Sequence, residues 1–262
     1  MPTRDAIRTT ELFILSPDAS REIDRRCATK YGLSTLVLME NASVCVAEAV
    51  MELANRHENA RVLIVAGSGN NGGDALGAAR HLSNFGAAVS ILMVGSASRR
   101  TPDTTAQLKT CRRMKLPVVS AGTSLARSLE RALRQLPLPA KGRRRGPLIV
   151  VDGLFGTGLS RTVEGVAADA VRAMNALRES GARIVSIDLP SGMNGESGEA
   201  MGVAVRADAT VTFVGLKTGM LAPGAIDGLG RVVVADIGVP RQLVESLAAP
   251  AHRATTGRRR GI

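Results

Sequence analysis

The sequence predicts a single α/β domain built on a mostly parallel sheet with helices on both faces. Three observations lead there. Apolar strand-like runs alternate with segments of helical spacing from residue 61 to residue 235, and such alternation joins parallel strands through helical crossovers. The chain has 262 residues, 45% of them hydrophobic, which suits one sizeable core rather than two. The stretch RVLIVAGSGNNGGDALGAARHL at 61–82 carries an apolar strand through a glycine-rich loop straight into a helix, the layout of a phosphate-binding turn.

Each element has its own signal. Ser16 and Pro17 read as a cap and a first-turn proline and Gly32 as a stop, so a first helix is expected over 17–30. The run from 34 to 57 puts Leu36, Met39, Val46, Val50 and Leu53 on helical spacing, with Asn41 and Ser43 interrupting it, and predicts a long second helix with a polar notch. Strand RVLIVA at 61–66 then feeds a helix expected from Gly73 to 84. Strand AAVSILMV at 87–94, a helix over 102–114, a short PVV strand and a helix over 124–136 follow. LPLPAKGRRRGP at 136–147 is rich in proline and arginine and reads as an exposed insertion. The alternation resumes with LIVV at 148, a helix over 164–179, RIVSI at 183, ATVTFV at 209 and RVVVA at 231. Termini 1–10 and 250–262 are expected to be flexible, leaving 11–249 as the domain.

Composition narrows the function. Formal net charge is +11, but Lys141, Arg143, Arg144 and Arg145 crowd one short segment and Arg253, Arg258, Arg259 and Arg260 the tail, leaving +3 for the rest. With no Trp and 2% aromatics there are no stacking platforms for single strands, so nucleic acid is not an expected partner. Cys27, Cys45 and Cys111 are an odd count without C-x-x-C spacing, against both a disulfide framework and a zinc site. No apolar run reaches the ~18 residues of a membrane span, and the N-terminus lacks a signal peptide's pattern. The expectation is a soluble cytoplasmic protein with no membrane partner.

The chemistry collects where strands end, because ligands of open parallel sheets bind beyond the carboxyl edge. There Gly67, Gly69, Gly72 and Gly73 are read as freeing the backbone to turn and approach a ligand, while Asn70, Asn71 and Asp74 add oxygen-bearing side chains. Asp152 follows four apolar residues and heads a second anion-suited loop, GLFGTG. Asp188 precedes LPSG, a construction that holds a side chain at a turn, where a carboxylate can serve as general acid or base. Lys217, one of five lysines, follows an apolar strand in GLKTG, placed to neutralise a phosphate or a developing negative charge. Asn71, Asp152 and Ser191 together offer hard oxygen ligands of low total charge, suited to a group-one or group-two cation and not to zinc.

Five motifs in order, LMENAS at 38–43, GSGNNGGDA at 67–75, VDGLFGTGLSR at 151–161, DLPSGMNG at 188–195 and ADATVTFVGLKTGM at 207–220, make the chain resemble the NAD(P)H-hydrate epimerases, the YjeF N-terminal domain family. The resemblance runs from about residue 11 to residue 240. It implies a Rossmann-like three-layer α/β/α sandwich with N-terminal helices, a homodimer, and an isomerase that interconverts the R and S epimers of NADHX and NADPHX, nicotinamide cofactors damaged by hydration at C6. It also implies a functional pairing with an NAD(P)H-hydrate dehydratase, expected here as a separate protein.

Carried over by position, the resemblance puts one potassium ion per subunit on Asn71, Asp152 and Ser191. It puts the hydrate on Asn70, Asn71, Gly72, Gly73 and Asp74, on Gly156, Thr157, Gly158, Leu159, Ser160, Arg161 and Thr162, and on Asp188. Asp188 falls on the acid/base position, with Lys217 as its polar neighbour. Two departures stand out, Ala75 and Ser43, each where the family usually has glycine; altered packing rather than lost function is expected. Two rival readings remain: an NADP-dependent oxidoreductase, with Arg99 and Arg100 accepting a 2′-phosphate after the second strand, and a scaffold that kept the fold without the activity.

Overall fold

From the N-terminal side the chain forms a short strand β1 (Ile14–Leu15), helix α1 (Pro17–Tyr31) and helix α2 (Thr35–Leu53); the computed structural model describes residues 12–57, 59–136 and 146–249. The expectations for the two termini, and most of that for the 136–147 insertion, lie outside the described residues. Ser16 caps α1 by accepting from the Ala19 N–H at 3.1 Å, and Gly32 closes it at φ 65°. The expected notch in α2 does not break the helix. Ser43 donates its hydroxyl to the Met39 carbonyl at 2.7 Å, one turn back, and is buried against the next helix.

The alternation then builds β2 (Arg61–Ala66), α3 (Asn70–Asn84), β3 (Ala88–Met93), α4 (Pro102–Arg113), β4 (Val118–Ser120) and α5 (Leu125–Arg134). It continues through β5 (Leu148–Gly153), α6 (Gly165–Glu179), β6 (Arg183–Ile187), β7 (Ala209–Phe213), β8 (Leu216–Lys217), α7 (Ile226–Leu229), β9 (Arg231–Ala235) and α8 (Arg241–Leu247). Helix α3 begins at Asn70, ahead of the expected Gly73. Its glycines serve packing more than turning: a Cβ on Gly72 would lie 2.1 Å from the Gly67 carbonyl oxygen, and one on Gly73 2.4 Å from Met39 Cε.

Seven strands pair in the order β4-β3-β2-β5-β6-β7-β9, all parallel. Helices α2, α3 and α4 cover one face around Val46, Val50, Ile64, Leu76 and Leu108. Helices α5 and α6 cover the other around Leu63, Val150, Val171 and Met174. The fold is thus the expected three-layer α/β/α sandwich. Chain order reverses between β2 and β5, and a crevice opens at such a switch point. The N-terminal segment reaches that edge through pairing absent from the sequence reading, β1 running parallel to β8, and Leu15, Ile23, Leu38 and Ile237 form a small core beneath it. No helix among the described residues is long and apolar enough to cross a membrane.

Candidate active site

At the switch point a cavity of about 500 Å³ opens, within the ~300–1,000 Å³ of small-molecule sites. Its walls come from α1 and α2 (Asp24, Leu38, Met39), the start of α3 (Asn70, Asn71, Asp74), the loop after β5 (Gly156–Arg161), and Asp188 and Lys217. The N-cap of α3, Gly69, has no side chain to offer, so the first N–H groups of a 15-residue helix face the cavity without a side-chain cap.

Asp188 stands on bent backbone. Its φ is 65°, and the Leu189 N–H reaches back to the Ile187 carbonyl at 2.8 Å, closing a three-residue γ-turn. Val214, at the end of the neighbouring strand, repeats this with φ 69° and a 2.7 Å bond from the Gly215 N–H to the Phe213 carbonyl. For a β-branched residue such a φ is a strained outlier, and strain of this kind concentrates at functional sites. The turn presents the carboxylate of Asp188 to three partners. Oδ2 accepts from the Thr157 N–H at 3.1 Å, Oδ1 lies 2.8 Å from Lys217 Nζ, and Thr212 Oγ1 sits at 3.4 Å.

Lys217 is 2% exposed and fully committed: besides Asp188, its ammonium donates to Thr212 Oγ1 at 3.0 Å and to the carbonyls of Phe213 at 3.0 Å and Gly215 at 3.2 Å. The sequence reading left it available to a phosphate. The structure gives its donors to Asp188 and the β7–β8 turn instead.

Two more carboxylates share the cavity. Burial, reinforced by the negative charges of Asp188 and Asp24, pushes the half-buried Asp74 carboxyl well above the usual range. Asp24 opens onto the cavity from α1. It is exposed at the mouth of the cavity, and partial desolvation by the concave wall together with the charge of Asp188 raises it to about 6, against a smaller lowering by Lys217.

Asp152 and Ser191 meet beneath this cavity, with Asn71 beside them. Asp152 is fully buried and accepts from Ser186 Oγ at 2.8 Å, Ser191 N–H at 2.8 Å, Ser191 Oγ at 2.5 Å and Leu154 N–H at 3.3 Å. Asn71 donates from Nδ2 to the Phe155 carbonyl at 2.9 Å, leaving Oδ1 as an acceptor near Gly156. Ser191 Oγ accepts from the Phe155 N–H at 2.9 Å. Every donor on Asp152 is neutral, and burial pushes its carboxyl up against their lowering effect. A buried carboxylate without a counter-charge is costly, and a set of oxygens with one carboxylate suits a hard cation rather than zinc.

Of the residues expected to hold a ligand, Asn70, Asn71, Asp74, Gly156, Thr157, Gly158, Leu159, Ser160, Arg161 and Asp188 line the cavity. Gly72, Gly73 and Thr162 do not; the two glycines are packed behind the surface. Arg99 and Arg100, on which the NADP reading rested, also lie off this cavity. Sequence reasoning missed Asp24, Met39 and Val214. Asp24 flanks Ile23 and Cys27, a buried i, i+4 pair, and that flanking position was the available signal. The departures also fall into place: Ala75 Cβ sits 2.5 Å from where a Gly153 Cβ would be, and the Asp74 carbonyl, 3.0 Å from Ser43 Oγ, is a second acceptor competing with the Met39 carbonyl for its one hydroxyl proton.

Comparison with known proteins agrees with this architecture. The solved crystal structure of the yeast protein YNL200c shares the fold, with a TM-score of 0.71 over 91% of this chain and 95% of that one at 23% identity. A curated bifunctional NAD(P)H-hydrate repair enzyme of Thermofilum pendens is 40% identical over 224 residues, 85% of this chain but 40% of the relative's own length. An NAD(P)H-hydrate epimerase of Lentilactobacillus buchneri is 37% identical over 227 residues, 87% of this chain and 95% of the relative. One of Rhodopirellula baltica is 37% identical over 230 residues, 87% and 85% of the two chains. The family model for the YjeF-related protein N-terminus matches residues 35–219, and the chain belongs to that family.

Proposed function

We propose that this chain is an NAD(P)H-hydrate epimerase, interconverting the R and S epimers of NADHX and NADPHX. The observation that carries the reading is Asp188, ion-paired to Lys217 on a strained strand-end turn and open to a cavity beside the start of α3. The relatives that carry the epimerase name match along nearly their whole length.

C6 of the hydrate is a hemiaminal carbon. Protonation of its hydroxyl lets water leave while the ring nitrogen supplies an electron pair, and the planar iminium accepts water on either face with loss of a proton. Opening to an aldehyde and reclosure would scramble the same centre. Either route needs a proton donor that becomes an acceptor, the role given to Asp188. Lys217 is a positioning residue: it holds Oδ1 while the Thr157 N–H holds Oδ2. The N–H groups at the start of α3 and the 156–161 loop suit the pyrophosphate. Asn71, Asp152 and Ser191 would hold potassium, whose positive charge would offset Asp152 and order the loop that Phe155 begins.

Further parts of the reading follow from the resemblance: a homodimer, work alongside an NAD(P)H-hydrate dehydratase, and a cytoplasmic setting. Three unpaired cysteines support a reducing compartment. The test follows the R-to-S ratio of NADHX by chromatography, with and without protein, in potassium and potassium-free buffer. Interconversion by the wild type and its loss in Asp188→Asn with binding retained is expected; wild-type rates in Asp188→Asn would refute the assignment.

A further inference from the structure

Helix α1 carries three carboxylates in its first eight positions, and two of them are neutralised on its outer side. Asp18 pairs with Arg21, and Glu22 with Arg25 and Arg26. Asp24 has no hydrogen bond or ion pair among the described residues, although Arg25 is its neighbour in the chain. Burial of Ile23 and Cys27, at 2% and 0% exposure, fixes the rotation of α1 and turns Asp24 onto the cavity. The parallel pairing of β1 with β8 ties the start of this helix to the strand that bears Lys217. The charged and titratable groups around Asp24 are Asp188 and Lys217 at the strand ends, Asp74 on α3, and Cys27 on its own helix. Arg21 on the same helix and Arg161 in the loop after β5 also line the cavity, but Arg21 pairs with Asp18 and Lys217 with Asp188.

Inversion of a hemiaminal centre through an iminium needs proton transfer on both faces, because the hydroxyl leaves from one and water adds to the other. Asp188 faces the cavity from the strand ends and Asp24 from helix α1. We infer that Asp24 is the second acid–base residue, serving the face of C6 that Asp188 does not. This rests on the epimerase reading above. In one direction Asp24 gives its proton to the C6 hydroxyl, the C–O bond breaks with its electron pair leaving as water, and the ring nitrogen forms the iminium. Water adds to the opposite face, the nitrogen recovers its electron pair, and Asp188 takes the proton that this water releases. The reverse direction exchanges the two roles, and proton exchange with solvent resets the pair.

The experiment measures R-to-S and S-to-R rates of NADHX from pH 5 to 9 for wild type, Asp24→Asn and Asp24→Glu, alongside substrate binding. A loss of roughly 10²–10⁴ in kcat is expected for Asp24→Asn, with KM little changed and the pH-rate limb near 6 abolished; Asp24→Glu should recover part of the rate and restore that limb. Wild-type kcat and an unchanged pH profile in Asp24→Asn would overturn the inference, as would a loss confined to KM. If wild type itself leaves the epimer ratio unchanged, the epimerase reading fails; if wild type is active and Asp24→Asn equals it, only the second acid–base residue fails.

Discussion

Replacing Lys217 with methionine tests whether the Asp188 carboxylate depends on one buried cation. The change keeps the length of the side chain and removes an ion pair at 2.8 Å and three hydrogen bonds of 3.0–3.2 Å. Asp188, with its side chain 12% exposed, is left with the Thr157 N–H and a long contact to Thr212. Removing one member of a buried pair costs about 3–5 kcal/mol, because the survivor keeps its desolvation penalty. In a domain of this size each kcal/mol moves the midpoint by ~2–4 °C, so thermal melts followed by circular dichroism should fall by roughly 6–20 °C. The double variant Lys217→Met with Asp188→Asn removes the stranded charge and should recover a large part of the loss, the coupling expected of residues in contact. A fall under about 2 °C, or a double variant no more stable than Lys217→Met, would refute the argument.

Potassium chloride should raise the melting midpoint relative to choline chloride, by about 1.4 kcal/mol of stability per tenfold concentration above the dissociation constant; an equal response in Asp152→Asn, which lacks the charge, would remove Asp152 from the cation site. Gly77→Ala should cost about 1–3 kcal/mol in urea melts, since its Cβ would lie 2.0 Å from Ser43 Oγ, and adding Ser43→Gly should return most of it; simple additivity of the two changes would count against the clash. Asp24 is raised in the folded protein from 3.8 to about 6, so its favourable contribution is complete below pH 3.8 and is lost as pH rises through 6. Asp24→Asn should therefore melt above wild type at pH 8 and converge with it towards pH 4, and a variant less stable than wild type at pH 8 would contradict this.

What could be read from the sequence was whatever depends on neighbours along the chain. The strand–helix alternation, the Ser16 cap and the polar groups at the ends of β2, β5 and β6 are local patterns, and they placed the layers and much of the cavity floor. What could not be read depends on residues far apart. β1 and β8 are two residues each and pair across some two hundred positions, too short for periodicity to register. The seven-residue helix α8 escaped for the same reason. The glycines of GSGNNGGDA looked like ligand-facing turns, yet Gly72 and Gly73 are small because backbone and Met39 press on them. Asp24 sits among six other charged residues of α1, and only the docking of that helix separates it from the solvent-facing charges.

Part of the cost of this fold sits at the carboxyl end of its sheet. Away from the cavity many carboxylates find an arginine: Glu40 with Arg80, Glu130 with Arg134, Asp169 with Arg172, Asp208 with Arg178, Glu179 with Arg206 and Glu245 with Arg241. Asn55, Arg56 and Lys115 take positive φ in loops that lead into strands. At the carboxyl ends of β6 and β7, Asp188 and the β-branched Val214 do so beside the cavity, where Asp24 has no ion pair among the described residues although the chain carries 34 basic residues. A fold free to choose only stability would place glycine at 214 and an arginine opposite Asp24. Positive φ at non-glycine residues costs of order 1–3 kcal/mol each, and a carboxyl raised to about 6 spends stability at neutral pH. Such costs persist where the work of a site needs them, and under the proposed mechanism proton transfer at C6 needs carboxyls that change protonation near neutrality. The three-layer core, assembled from ordinary apolar strands, is what lets the rim carry that burden.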